Sequence, residues 1–281
     1  MSCTNSTAPL DIDRNKEQIC DLKCEYIHNY LTSSNLIITN RKEYLSVRVD
    51  NNINNPVTFN SNKYNLSEIR LYNRSIHSWN GTHTEGEIIM VHNNILGNQG
   101  DLLVCIPIKK GYVNSDILKD IILESTKRAN SINNRTTLSI DNLNLNNLIP
   151  SKPYYFYKGS LAYVPCNSLV NYIVFDENDS IYISDSIYDK FNKLIIQNNY
   201  KTKKNVDNII YYNINGSKIE MKDEIYIDCQ PTGYSDIDNV GTNNKFPLTL
   251  SMSNLNGPYL NIIIGALLMV GIIKLSKKLL N

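Results

Sequence analysis

The chain has 281 residues, 42% of them hydrophobic, and carries 28 basic and 27 acidic residues. This length and apolar content indicate a folded protein with a sizeable core and exclude a disordered chain. The balanced charge gives no indication of nucleic-acid binding, so an anionic ligand would depend on a local basic patch. The N-terminal stretch MSCTNSTAPLDIDRNK contains no apolar run, and we therefore expect no signal peptide.

Strand-like runs dominate the chain between its ends. The predicted strands, all rich in Val, Ile, Leu and Tyr, are 36–39, 44–49, 67–72, 87–92, 101–108, 169–175, 180–183, 208–212 and 224–228. Two amphipathic helices are predicted, one N-capped by Ser115 and the other by Ser184. Many strands with two inserted helices predict a mainly β (α+β) fold with one large, twisted, mostly antiparallel sheet and peripheral helices.

The C-terminal part of the sequence predicts a membrane anchor. A domain at 1–229 and a polar linker at 230–258 precede an almost entirely apolar run at 259–275, which ends in a short basic tail at 276–281. The run is slightly shorter than the about 20 residues that span a bilayer. It would span one if Lys274 extended its charge outward to the membrane surface. The basic residues of the tail favour a position of the tail on the inner side of the membrane. A buried core helix is the alternative interpretation.

Six cysteines are too few for a disulfide-built scaffold of this length. Cys20 and Cys24 lack a second Cys or His pair at zinc-finger spacing, so we predict no structural zinc site there. Cys105 and Cys166 lie in apolar runs and are predicted core residues. Cys229, at the end of the last predicted strand, is a candidate for a disulfide between two chains, which would give a homodimer.

The most specific motif is YYFYKGSLAYVPC at 154–166. It resembles the α-class carbonic anhydrase motif Y-x-Y-x-G-S-L-T-T-P-P-C, and the segments PLDID, YNLSEIRLYN and GEIIMVHNN resemble other parts of that family in the same order. The resemblance implies an α-carbonic anhydrase-like fold from residue 8 to about 228. We interpret 154–166 as a turn in which Tyr155 and Tyr157 pack and Gly159 permits a bend.

The resemblance also implies where the family's zinc site would lie. That site needs three histidines, two of them as H-x-H on one strand, so that both point to one face. The histidines of this chain include no such pair; they are His28, His77, His83 and His92. A local shift of the alignment that recruits His77 places Trp79 at the second ligand position and leaves the site incomplete.

In the preferred alignment, residues without the family's chemistry occupy the site. The ligand positions and the two positions near the zinc-bound hydroxide carry Arg70, Tyr72, Ile89, Ala162 and Tyr163. We therefore expect no enzyme activity, no metal and no cofactor. A pocket filled by a hydrogen-bonded network around Arg70 and Tyr163 is expected, and a site for a small anion is the alternative.

An inactive carbonic anhydrase-like domain with a C-terminal anchor resembles the poxviral cell surface-binding proteins. In that family the ectodomain lies on the virion membrane and binds chondroitin sulfate on host cells. The resemblance implies a virion membrane protein that faces the cytosol during synthesis and whose partners are the viral membrane and a sulfated glycosaminoglycan. A membrane-anchored protein–protein interaction module without glycan binding is the alternative, and an enzyme of another kind has no catalytic constellation to support it.

Glycan binding requires basic side chains that converge on sulfate groups. The candidates are Arg41, Lys42 and Arg48 around one strand, Lys109 and Lys110 at the end of another, and Lys201, Lys203 and Lys204. We favour the first group, because the poxviral family carries basic residues in a related strand. For each group, solvated surface side chains are the alternative interpretation.

Overall fold

The computed structural model describes residues 6–14, 17–20, 24–49, 57–97, 99–113, 115–204 and 210–220. All of them belong to one compact unit, Met1–Glu224. Outside the described residues lie Cys229, the strand predicted at 224–228, the linker at 230–258, the membrane anchor at 259–275 and the basic tail. Within the described part of the chain, neither helix has the length and hydropathy that a membrane span requires.

The described residues form strands and two α-helices. The strands are β1 Asp11–Ile12, β2 Glu17–Ile19, β3 Tyr26–His28, β4 Ser33–Asn40, β5 Tyr44–Val49, β6 Val57–Phe59, β7 Asn62–Asn73, β8 Ser78–Trp79, β9 Gly86–Asn94, β10 Leu102–Lys110, β11 Arg135–Leu143, β12 Tyr154–Ser160, β13 Leu169–Phe175, β14 Ile181–Ile183, β15 Ile210–Asn213 and β16 Lys218–Ile219. The helices are α1 Asp116–Arg128 and α2 Asp185–Leu194. Short 3₁₀ helices lie at Leu145–Leu148 and Glu177–Asp179.

One large mixed sheet contains all described strands except β1 and β8, which pair with each other. Its main path runs in the order β11-β4-β5-β7-β9-β10-β13-β12-β15-β2. Most pairs are antiparallel, and the parallel ones are β10–β13, β10–β14, β15–β2 and β16–β3. The predicted fold class, a mainly β fold with a large, twisted sheet and two helices, is confirmed.

Each face of the sheet carries its own hydrophobic cluster, because successive side chains of a strand point to opposite faces. On β9, Ile88 and Met90 belong to the larger cluster, whereas Ile89 and Val91 belong to the smaller one. Both helices pack on the larger cluster, where Phe191 of α2 is fully buried. The smaller cluster surrounds the residues that the sequence assigned to the zinc site.

Both helices begin directly after the serines that were predicted as N-caps. Ser115 Oγ accepts a hydrogen bond from the backbone N–H of Leu118 in α1. An acidic residue in the first turn and basic residues in the last turn of α1 complement the helix dipole. Ser184 precedes α2, and its Oγ lies 3.1 Å from Ser186 Oγ rather than on a backbone N–H.

The segment 154–166 is not a turn throughout, which corrects the sequence interpretation. Its first seven residues form β12, which pairs with β13 and β15, and the turn follows this strand. Gly159 does not bend the chain; a Cβ atom there would lie 3.0 Å from the Tyr157 ring and 3.2 Å from Ala8 Cβ. The glycine therefore permits close packing of β12 against the N-terminal segment.

The cysteines show two features that the sequence did not predict. Cys20 and Cys24 form a disulfide with Cα atoms 6.0 Å apart. Cys166 is disulfide-bonded and half-buried, with φ +60°, so its predicted core position was wrong. Cys166 lies in the segment 161–168 between β12 and β13, which is outside both strands and leaves its side chain partly exposed. Cys105 is free and fully buried, as predicted.

Candidate functional site

One row of side chains crosses the sheet from edge strand β11 to β10. Residues directly opposite each other on neighbouring strands point to the same face. In order from the edge, the row consists of Arg135, Thr39, Ser46, Arg70, Ile89 and Cys105. The row therefore places three features on one face: an arginine groove, the surroundings of Arg70, and a buried cluster at Cys105.

The arginine groove, with a volume of about 300 Å³, lies where β11, β4 and β5 run side by side. Its described lining residues are Ile37, Thr39, Arg41, Ser46, Arg48, Asn133 and Arg135. None of these residues is acidic, and among the described residues none of the three arginines forms an ion pair. Arg41 donates a hydrogen bond to Asn133 Oδ1 at 3.3 Å. The groove thus offers three exposed guanidinium groups to one ligand.

The groove contains two of the three basic residues that the sequence favoured and adds one that it missed. Arg41 lies in the turn of the β4–β5 hairpin and Arg48 lies in β5, and pairing of β11 with β4 adds Arg135. Lys42 does not belong to the lining residues. It is exposed in the hairpin turn, with φ +72°.

The other basic groups lie elsewhere on the protein. Lys109 Nζ lies 3.0 Å from Glu177 Oε2, and Lys110 Nζ lies 3.4 Å from Asp185 Oδ1. These carboxylates already neutralise the two lysines, which makes them weaker candidates for a sulfate ligand than the arginines. The third group is exposed on the segment that follows α2 and consists of Lys201, Lys203 and Lys204.

Arg70 lies between two aromatic rings. Its guanidinium carbon is 4.0 Å from the centroid of the Tyr163 ring and 4.7 Å from that of Tyr44, distances typical of cation–π contacts. Its Nε donates a hydrogen bond to Glu68 Oε2 at 2.6 Å, and Ser46 Oγ donates to the other carboxylate oxygen of Glu68. Through Glu68, this network connects Ser46, which lines the arginine groove, to Arg70.

Burial determines the protonation of this network. It raises the pKa of the Tyr163 phenol to about 12 and the pKa of the Tyr72 phenol well above its ordinary value. Burial lowers the pKa of Arg70, but its neighbours, among them Tyr72, Tyr163 and Glu68, raise it, and the net direction is upward. At neutral pH the guanidinium is therefore charged and the phenols are neutral.

The remaining predicted site residues are buried in the smaller hydrophobic cluster. The Tyr72 ring lies 5.3 Å from that of Tyr44, centroid to centroid, and Ile89 is fully buried opposite Arg70. Ala162 is buried, and its backbone N–H donates to the Tyr172 hydroxyl at 3.0 Å. Apolar and aromatic packing thus surrounds these positions.

A buried cluster of metal-ligand residue types lies beside Ile89. His77 Nδ1 is 2.6 Å from Glu87 Oε1, and His77 Nε2 is 2.7 Å from the Tyr157 hydroxyl. Glu87 Oε2 accepts hydrogen bonds from two backbone N–H groups, at 2.7 and 3.0 Å. The ligand atoms of His77, Glu87 and Cys105 all lie within 4.8 Å of one another, and the three residues are fully buried. The fold brings this group together from separate segments, so no local sequence pattern indicates it.

A second buried network contains His92. The Tyr30 hydroxyl donates to His92 Nε2 at 2.6 Å, and His92 Nδ1–H donates to the Leu102 carbonyl oxygen at 3.2 Å. The Tyr26 hydroxyl lies 3.1 Å from that of Tyr30. Burial lowers the pKa of His92 to about 4 and also lowers the pKa of the neighbouring His28.

Comparison with known proteins agrees with this architecture. Residues 2–212 match the model of the eukaryotic-type carbonic anhydrases. The chain belongs to the eukaryotic-type carbonic anhydrase family. No curated protein matches the sequence significantly.

Solved structures share the carbonic anhydrase fold with this chain. The α-carbonic anhydrase of Thermovibrio ammonificans, in complex with the inhibitor sulfanilamide, is 22% identical at a TM-score of 0.62, and the match covers 73% of this chain and 86% of that one. Dioscorin complexed with ascorbate is 19% identical at a TM-score of 0.63, with 74% and 86% covered. The α-carbonic anhydrase of Photobacterium profundum is 19% identical at a TM-score of 0.61, with 73% and 88% covered. At these identities the likeness shows the fold alone.

The residues at the predicted ligand positions do not fit the zinc ion of carbonic anhydrases. Arg70 is a cation bound to Glu68, Tyr72 is a buried phenol with a raised pKa, and Ile89 has no donor atom. A zinc ion at that place would need three neutral imidazoles or equivalent ligands. No catalytic step through zinc follows from this arrangement.

Proposed function

We propose that this protein is a non-catalytic carbonic anhydrase-like protein that binds a sulfated glycosaminoglycan on host cells through the arginine groove. The convergence of Arg41, Arg48 and Arg135 on one groove carries the proposal. Guanidinium groups bind sulfate and carboxylate through two parallel hydrogen bonds, which matches the anionic groups of such chains. Three neighbouring cations repel one another, and a polyanionic ligand would offset this repulsion.

Neutral groups of the groove suit the uncharged parts of a sugar. Thr39, Ser46 and Asn133 contribute hydroxyl and amide groups, which can donate to and accept from sugar hydroxyls. The groove also lies at the edge of the main sheet, where β11 is the terminal strand. A long chain could therefore enter and leave it on the open side.

We also propose that the protein lies on a virion membrane and that residues 259–275 anchor it there. The apolar run and the basic tail of the sequence support it. The resemblance to poxviral cell surface-binding proteins supports the role in attachment. In the alternative, the same anchored domain is a protein–protein interaction module.

Binding to glycosaminoglycans tests the proposed ligand. We expect the full chain to bind a sulfated glycosaminoglycan saturably and more weakly as salt rises, because salt screens exposed charges. Arg41→Ala, Arg48→Ala and Arg135→Ala should each weaken binding by about tenfold, the value of one charge-assisted hydrogen bond. Surface plasmon resonance on immobilised sulfated and unsulfated chains across a salt series measures both effects.

Arg128→Ala serves as the matched control, because the Arg128 side chain is 71% exposed on α1 and does not line the groove. It should leave the affinity unchanged. If no sulfated chain binds at low salt, the glycan proposal is wrong and the protein–protein module becomes the working function. Equal losses in all four variants would show that net charge, rather than the groove, determines binding.

A hydration assay tests the proposed lack of catalysis. We expect the rate of CO₂ hydration to equal that of the buffer, with or without added zinc, because a zinc-bound hydroxide requires the ligand set that this chain lacks. Stopped-flow measurement with a pH indicator, and an active carbonic anhydrase as the positive control, provides the comparison. Zinc-dependent hydration above the buffer rate would contradict the proposal.

A further inference from the structure

We propose that His77, Glu87 and Cys105 form a buried three-ligand site for one zinc-like divalent metal ion. The site lies on the same face of the sheet as Ile89 but uses different residues from the family's zinc site. Cys105 stands directly opposite Ile89 on β10, and Glu87 lies two residues before Ile89 on β9. The inference does not depend on glycan binding.

The donor types match such an ion. The three residues supply an imidazole nitrogen, a carboxylate oxygen and a sulfur, all of which zinc accepts. Zinc has bonds of about 2.0 Å to nitrogen and oxygen and about 2.3 Å to sulfur, so ligand atoms around it stand about 3.3–3.8 Å apart. Because the three ligand atoms already lie within 4.8 Å of one another, shifts of about 1 Å would complete the contacts.

The surroundings hold two of the three ligands in position. Two backbone N–H groups fix Glu87 Oε2 and leave Oε1 directed at His77. The Tyr157 hydroxyl fixes the other ring nitrogen of His77 at 2.7 Å. When Nδ1 binds a metal, the ring proton resides on Nε2, and Nε2–H donates to the Tyr157 oxygen. Metal-binding histidines are commonly oriented by such a partner.

The charge balance is compatible with a divalent ion. Glu87 has no exposed surface, and two backbone N–H groups and His77 hold its carboxylate, so the ion would take the place of the contact between His77 Nδ1 and Glu87 Oε1. A divalent cation, the Glu87 carboxylate and the Cys105 thiolate sum to zero charge, and binding releases the thiol proton. The three residues have no exposed surface, so a bound ion would be closed to substrates and would stabilise the fold.

Cobalt(II) is the probe, because a cobalt–thiolate bond gives a charge-transfer band in the near-ultraviolet. The buried ion must enter while the chain folds, so the full chain is produced in medium in which cobalt replaces zinc. We expect about one cobalt per chain together with this band. In Cys105→Ser the band should disappear, and the cobalt content should fall by about tenfold or more.

Two variants make the outcome decisive. His83→Gln changes a half-buried histidine outside the cluster and should keep both the cobalt and the band. Cys105→Ala provides a second test if the serine variant folds poorly, as judged from near-ultraviolet circular dichroism. Absence of cobalt from the wild-type chain, or persistence of the band in a folded Cys105 variant, would overturn the proposal and leave the cluster as a hydrogen-bonded part of the core.

Discussion

Glu68→Gln is expected to lower the free energy of unfolding by about 3 kcal/mol, because it leaves the largely buried guanidinium of Arg70 without its carboxylate. The Arg70 and Glu68 side chains are 16% and 10% exposed, respectively. The change also removes the charged acceptor of the Ser46 hydroxyl. Equilibrium unfolding in urea, monitored by tyrosine and tryptophan fluorescence, measures the difference.

Glu25→Gln is the matched control for this prediction. Glu25 forms an ion pair with Lys218 in which the side chains are 50% and 56% exposed, and such a pair contributes about 0–1 kcal/mol. The double variant Glu68→Met/Arg70→Leu should recover most of the lost stability, because apolar residues need no charged partner. If Glu68→Gln costs no more than Glu25→Gln, the Arg70 network does not stabilise the fold in the way the structure suggests.

His92 is expected to make the stability of the fold sensitive to acid. Its pKa is about 4 in the folded protein and about 6.5 when unfolded. The unfolded chain therefore binds more protons between these values, and stability falls as the pH drops from about 6.5 to about 4. The difference of about 2.5 pH units corresponds to a loss of about 3 kcal/mol from this residue.

His92→Gln tests this prediction, because an amide can accept from Tyr30 and donate to the Leu102 carbonyl without binding a proton. The variant should lose less stability than the wild-type chain between pH 7 and pH 4, as measured by urea unfolding at a series of pH values. His83→Gln should flatten the curve less, because His83 is only half-buried. Identical pH profiles for wild type and His92→Gln would show that other groups govern the acid response.

The sequence predicted the strands whose residues are as hydrophobic as their position in the sheet requires. Runs rich in apolar residues mark the interior strands β5 and β13, which begin and end at the predicted residues. β11 was missed, because its residues RTTLSIDNL are largely polar. At the edge of a sheet one side of a strand has no neighbouring strand, so the strand needs less hydrophobicity than the patterns assume.

The candidate site was predictable only where its residues share one local element. Arg41 and Arg48 belong to one hairpin, and the sequence places them together. Arg135 joins them through the pairing of β11 with β4, and nothing in the sequence specifies that register. The same holds for the cluster of His77, Glu87 and Cys105, whose members lie in three segments of the chain.

The disulfide between Cys20 and Cys24 couples one edge of the sheet to the redox state of the surroundings. It lies in the connection between β2 and β3, where the Cys20 N–H donates to the Tyr212 carbonyl oxygen and the Cys24 carbonyl oxygen accepts from the Tyr154 hydroxyl. Reducing compartments disfavour such a bond. In the reduced chain, the hydrogen bonds at Cys20 and Cys24 would hold this edge without the covalent link, so the redox state of the bond would report whether the chain has met an oxidant.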